Sequence, residues 1–356
     1  MSKPLVDAAA RRIAWIDIAR GIGIILVVYG HVLRGLIGAH LISAANPICA
    51  SDYTIYTFHM PLFFLLAGLQ VERSLSKGRA PFLKSKLMTI VYPYLLWSWF
   101  QLAVQMLAPK GSLNTVHPPI TFVTILWRPV EQFWFLYVLL ICHFVAFATK
   151  ARRVWLMPFA AIGILVAVLI AIGKLASTQW VGSVAPWLVF YIAGIFLSRP
   201  ILLWKPRKGI AILSALISAI CFAFLSILCS MLSHSDANSI FSWPATAAGL
   251  LMTISFSQVL ASAEFGLTDW MGILGRASMT IYIFHVLAAA GTRAALEKAH
   301  IGSWELQLLL GTCAGVCLPL LLHIVLDSLN FLPIFGLGGR RSNARPQPNL
   351  TPLVKA

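Results

Sequence analysis

About ten apolar stretches, each long enough to cross a bilayer, follow one another along this chain with short polar loops between them. They fall near 13–36, 54–72, 88–107, 132–149, 154–173, 184–198, 209–232, 242–262, 272–291 and 304–327. In hydrocarbon every backbone N–H and C=O must be paired within the protein, so a spanning segment is a helix or a strand of a closed barrel. These runs are continuous and do not alternate apolar with polar residues, so they read as helices. Composition agrees: of 356 residues 59% are hydrophobic and 11% charged, where a water-soluble chain carries about 25% charged residues. The expected fold is all-α, a polytopic integral membrane protein with about ten transmembrane helices. Residues 1–335 are expected to form one membrane domain, and the Gly-, Pro-, Asn- and Arg-rich segment 336–356 a disordered cytoplasmic tail.

A net charge of +16 raises the question of nucleic acid, but the placement of the charge answers against it. Lys and Arg gather in the N-terminal segment, in the loops after spans two, four and six, and in the C-terminal tail. All of these lie on one side if both termini are cytoplasmic, which is the positive-inside pattern. The opposite loops hold few basic residues: Lys110, Arg128, Lys174, Arg293 and Lys298. The first span has no small-residue cleavage site and reads as an uncleaved signal anchor. Six cysteines form neither a CxxC pair nor a zinc-binding spacing.

Ionisable residues inside such spans are costly unless they face protein or a water-filled cavity. The first span carries three: Asp17, Arg20 and His31. At about 100° per residue, the eleven steps from Arg20 to His31 make three turns plus roughly 20°, and the fourteen from Asp17 miss four turns by roughly 40°. The three side chains therefore share one stripe, with Arg20 and His31 about 16 Å apart along the axis. A neutral imidazole can act as a general base toward a hydroxyl. The Arg20 guanidinium suits phosphate or carboxylate, or an ion pair with Asp17 that only positions helices. Gly21 lets a ligand or a partner helix approach the backbone. Arg73, at the inner end of span two, reads as a topology charge or a phosphate contact. His59 in Phe58-His59-Met60-Pro61 and His285 in Tyr282-Ile283-Phe284-His285 fall at a depth close to that of His31. Pro61 is expected in the first turns of its helix, where it does little harm. Three histidines raise the question of a metal, but no HExxH or facing carboxylate accompanies them, so no metal site is expected. Trp134 reads as an interfacial aromatic, with a sugar-stacking platform as the alternative.

Together these segments resemble the membrane acyltransferase-3 family of bacterial sugar O-acyltransferases, over nearly the whole chain. The resemblance rests on Asp17-x-x-Arg20-Gly21, the Arg20-x10-His31 spacing, and Phe58-His59-Met60-Pro61-Leu62-Phe63-Phe64 with Gly68. Trp134-Phe135-Leu136 and the Tyr282–His285 segment add to it. The Phe-His-Met-Pro variant is similar to the fucose 4-O-acetylase-like and exopolysaccharide acetyltransferase branch. The resemblance implies an acyl-CoA co-substrate, usually acetyl-CoA, taken from the cytoplasm, with no permanently bound cofactor. The acceptor it implies is a sugar hydroxyl on a cell-surface polysaccharide or its lipid-linked precursor, in the bacterial inner membrane. Carried over, His31, Arg20 and Asp17 form the catalytic set. Arg20, Gly21 and Arg73 fall to acyl-CoA, and His59, Trp134, Tyr282 and His285 to the acceptor. The lipid bilayer and a polysaccharide synthesis machinery are the further partners, with no nucleic acid. Direct transfer and an acyl-histidine intermediate both remain open. A transporter of glycan or small anions is the alternative that intramembrane charges also allow, and a scaffold for polysaccharide synthesis is a third.

Overall fold

The computed structural model describes residues 3–107, 117–176, 180–233, 236–262 and 266–338. Within them all regular secondary structure is helical. Eleven helices carry the architecture: α1 Lys3–Gly38, α2 Ala50–Leu75, α3 Arg79–Leu107, α4 Trp134–Ala148, α5 Arg153–Ala171, α6 Trp180–Phe196, α7 Lys208–Leu232, α8 Trp243–Ala261, α9 Gly266–Arg276, α10 Ser278–Lys298 and α11 Trp304–Ser328. Among the described residues nine helices are long and apolar enough to cross a membrane, and the shorter apolar segment Val184–Phe196 sits where the sixth span is expected. The protein is a multi-pass, all-α membrane protein.

Burial separates central helices from lipid-facing ones. In the apolar windows of α1 and α2, 50% and 67% of residues are buried, against 22% for α5, α7 and α11. Those three outer helices instead expose rows of large aliphatic and aromatic side chains such as Ile162, Leu165, Ile220, Phe224, Leu318 and Leu321. Exposed apolar rows of this extent suit lipid rather than water. Helix α1 packs against α2, α8, α9, α10 and α11, so its polar stripe faces protein.

Three sequence expectations need correction. The ninth span does not start at 272: the helix breaks at Ala277, leaving α9 as a separate short helix before α10. Helix α9 is pressed on α1, where a Cβ on Gly275 would run into the Asp17 carbonyl and one on Gly21 into that of Met271. Gly21 is thus a helix-contact residue and does not line the cavity that holds Arg20. Pro61 is not in the first turns but eleven residues into α2. Proline cannot donate to the carbonyl four residues back; the Thr246 hydroxyl, from α8, donates to that carbonyl, Thr57 O, at 2.9 Å. Finally, the chain past α11 folds back onto α3. Trp97 Nε1 donates to Phe335 O at 3.0 Å, and Leu337 is 3% exposed. The ordered part therefore runs to at least 338, and 339–356 lies outside the described residues.

Helix α3 contains a π turn at Leu87–Val91. Its cause is local: Pro93 leaves the carbonyl of Thr89 without its helical donor, and a wider turn absorbs the mismatch. The turn places Lys86, Thr89 and Ile90 on the wall of the inner cavity.

Candidate active site

Two cavities lie beside α1, and a third shares Tyr56 and Trp134 with the second of them. The inner one, about 880 Å³, contains Asp17 and Arg20. Arg20 Nη1 stands 3.6 Å from Asp17 Oδ1 one turn away on the helix, so the expected ion pair is present. The last turn of α2 and its loop bring Arg73 and Lys77, α3 brings Lys86, and α9 brings Arg276. Five cationic side chains thus face two carboxylates, Asp17 and Asp327. Sequence reasoning had named only Arg20 and Arg73. Lys77 and Lys86 count there as topology charges and Arg276 is given no role, because nothing in local composition says which helices will meet. Two histidines also reach this cavity: His143, whose Nδ1 is 2.7 Å from Tyr191 Oη, and His323, whose Nδ1 is 2.7 Å from Thr280 Oγ1.

The middle cavity is small, about 30 Å³, and is walled by His31, His59, Arg34, Tyr56, Gln132, Trp134 and Tyr282 among others. It holds little more than one water-sized group. Helical periodicity alone put His31 and Arg20 on one stripe. The structure adds that Val27, Met60 and Tyr282 wall both the inner and the middle cavity. These three side chains form a thin septum between the cation cluster and the imidazoles.

Hydrogen bonding fixes the tautomers of two histidines. His59 Nδ1 lies 2.7 Å from Ile55 O, and His285 Nδ1 lies 3.1 Å from Ile281 O and 2.8 Å from Tyr282 O. A carbonyl oxygen only accepts, so each Nδ1 carries the hydrogen and each Nε2 of the neutral ring is bare. His31 has no hydrogen bond among the described residues. Its ring meets that of His285 edge-on, with centroids 4.9 Å apart. The structure therefore brings His31, His59, Trp134 and Tyr282 to one cavity and sets His285 behind His31. Among the described residues no group of three or more His, Cys, Asp or Glu is arranged to hold a metal ion.

A polar clamp that the sequence did not announce fixes the outer wall. Glu131 adopts a left-handed backbone, φ 42°, rare for a residue with a side chain. Its carboxylate accepts from Gln101 Nε2 at 2.5 Å and Gln105 Nε2 at 2.8 Å. Gln132 Nε2 donates to Gln101 Oε1 at 2.7 Å, and the Gln132 carbonyl accepts the Tyr282 hydroxyl. The clamp ties α3, the start of α4 and α10 together at the middle cavity. Arg34, one turn beyond His31, is held at 3.0 Å by Asp52 and stacks on Tyr56 at 4.2 Å.

The outer cavity, about 960 Å³, is lined by aromatic rings, among them Tyr56, Trp127, Trp134, Trp187, Phe190 and Trp243. Trp134 and Trp187 lie 5.2 Å apart, as do Phe190 and Trp243. Tyr56 and Trp134 also wall the middle cavity. Trp134 is accordingly an internal residue rather than part of an interfacial belt. Arg128 and Asn238 supply polar groups. Aromatic walls with a few polar groups are the usual furniture of a pocket for a small organic ligand.

Comparison with known proteins places this architecture. Nodulation protein NolL of Mesorhizobium japonicum is 26% identical over 219 residues, covering 58% of this chain and 54% of that protein, so the chain matches about half the length of this relative. No solved structure matches. The acyltransferase domain family matches residues 13–325, which takes in α10 and all three cavities' helices, and the chain belongs to that acyltransferase-3 family.

Proposed function

We propose that the protein is an O-acyltransferase that moves an acyl group, in the first instance acetyl, from cytoplasmic acyl-CoA to a sugar hydroxyl of a cell-surface glycan or its lipid-linked precursor. One observation carries this reading: a cation-rich inner cavity and an aromatic outer cavity share walls with a single histidine chamber between them. The inner cavity suits the phosphates of CoA, since guanidinium and ammonium groups are the strong partners of phosphate. Asp17 holds Arg20 in place. The pantetheine arm spans the roughly 16 Å of helix rise from Arg20 to His31, passing where Val27, Met60 and Tyr282 form the septum. Met60 is the flexible member of that wall. The acceptor sugar lies against the tryptophans of the outer cavity and presents one hydroxyl to the chamber.

His31 is the general base. It takes the hydroxyl proton as the oxygen bonds to the acyl carbon; the carbon–sulfur bond breaks, and the proton passes to the CoA thiolate. His59 Nε2, bare and in the same chamber, accepts a hydrogen bond from the acceptor or from water. The positive inner face and the cytoplasmic source of acyl-CoA orient the protein with Arg20 toward the cytoplasm of the bacterial inner membrane. Mass analysis of surface polysaccharide from cells with and without the protein tests the reading: a difference of one acyl unit per acetylated sugar is expected. Identical spectra, together with no CoA release by purified protein given acetyl-CoA and the cells' glycan fraction, would overturn it.

A further inference from the structure

The second imidazole beside His31 is not used by the chemistry above. His285 is fully buried, and its Nδ1 is committed to two carbonyls of its own helix, at 2.8 and 3.1 Å. Its Nε2 is therefore an acceptor in the neutral ring. That Nε2 has no hydrogen-bond partner among the described residues. A buried acceptor without a partner loses its hydration and gains nothing in return, so such an atom asks for a donor. The ring next to it is His31, 4.9 Å away between centroids and itself without a hydrogen bond among the described residues. A small turn of either ring brings a nitrogen of each within hydrogen-bond reach, about 3 Å. The packing around the pair is close. A Cβ on Gly315 of α11 would lie 2.6 Å from Val28 Cγ1 of α1 and 3.9 Å from His285 Cβ, so glycine lets α11 close on α1 beside the pair. His285 does not wall the middle cavity, whereas His31 does.

We infer that His285 is a positioning residue for His31. Its Nε2 accepts the single N–H of neutral His31. That contact selects the His31 tautomer whose other, bare nitrogen faces the chamber, and it steadies the imidazolium formed when His31 takes the acceptor proton. The pair ends as it began: the proton moves from the acceptor hydroxyl to His31 and from His31 to the CoA thiolate, and His285 neither gains nor loses one. The inference rests on the assignment of His31 as base. It gives His285 a role behind the base, where the sequence had placed it on the acceptor.

Nitrogen-15 NMR of histidine-labelled full-length protein in lipid bilayers tests it, with the His31 signals identified by their loss in His31→Gln. A nitrogen–nitrogen coupling between His31 and His285 is expected in the unmodified protein. It should vanish in His285→Phe, which keeps a ring of similar girth and removes the acceptor. In acetyl transfer to the native glycan fraction, His285→Phe should lower kcat about 10- to 100-fold, the worth of a hydrogen bond to a charged group, and leave the KM for acetyl-CoA within about two-fold. His285→Gln restores an acceptor near the Nε2 position and should recover most of kcat. An uncoupled His31 in the unmodified protein overturns the inference whatever the His285 variants do, and so does His285→Gln as impaired as His285→Phe. Coupling found in a protein that transfers no acyl group would keep the histidine pair and overturn the proposed function instead.

Discussion

Replacing Thr246 by valine, with and without Pro61, isolates one interaction on which the shape of α2 depends. Pro61 removes the helical donor of the Thr57 carbonyl, and the Thr246 hydroxyl supplies a substitute at 2.9 Å. Thr57 and Thr246 are 0% and 1% exposed, so water cannot take over. Valine matches threonine in shape and opens no cavity; it also removes the longer contact of the same hydroxyl with Ser242 O at the start of its own helix, 3.1 Å, which is common to every background and cancels in a double-mutant cycle. Interhelical hydrogen bonds in membranes average about 0.6 kcal/mol and reach about 1.7, because the separated helices find other partners. Here the separated helix has none, since proline has already deleted the intrahelical donor. The cost therefore belongs at the upper end, about 1.5 kcal/mol, or roughly ten-fold in the unfolding equilibrium. The decisive assay is a double-mutant cycle by reversible unfolding in bicelles. In the Pro61→Ala background the backbone N–H at position 61 is restored, and Thr246→Val should cost less than half as much. Equal costs in the two backgrounds would refute the reasoning, because they would mean that the hydroxyl does not stand in for the missing donor.

The inner cavity and its septum give three further predictions. Arg20→Lys should raise the KM for acyl-CoA about ten-fold by losing a charge-assisted, two-pronged contact, and Lys86→Met about five-fold with an effect that fades in high salt; both are read by CoA release across an ionic-strength series. Met60→Trp should fill the septum and cut transfer at least about ten-fold while acyl-CoA binding, measured by calorimetry, stays unchanged. Gly275→Val should drive α9 off α1 at the Asp17 carbonyl and lower the thermal midpoint sharply, whereas Gly291→Ala, where a Cβ meets nothing within 4 Å, should leave it unchanged.

Much of the molecule was legible because membrane constraints are severe. Length and continuity of the apolar runs sufficed to find the spanning helices, and periodicity within α1 sufficed to put Asp17, Arg20 and His31 on one stripe. The misses share a cause: they concern which helix meets which. A glycine announces close approach without naming the neighbour, so the sequence leaves a ligand and a partner helix both open at Gly21, and it is α9, at Met271, that approaches. Lys77 lies in a loop, Lys86 within α3 and Arg276 at the end of α9, and they become a cation cluster only when α2, α3 and α9 converge. The break at Ala277 is hidden by apolar residues on both sides. Pro61 was misplaced because α2 starts earlier than its apolar run, at Ala50. Intramembrane charges serve enzymes and transporters alike, so the choice between them rested on the family match rather than on those charges.

The central claim is that an acyl group crosses from the inner to the outer cavity past His31. Proteoliposomes with the protein in one orientation test it directly, with radiolabelled acetyl-CoA on the Arg20 side and glycan from producing cells on the Trp187 side. Label should reach the glycan with the unmodified protein, fail to do so with His31→Ala at equal protein incorporation, and fail when acetyl-CoA is moved to the Trp187 side. Full labelling by His31→Ala, or labelling that requires both substrates on one face, would contradict the claim.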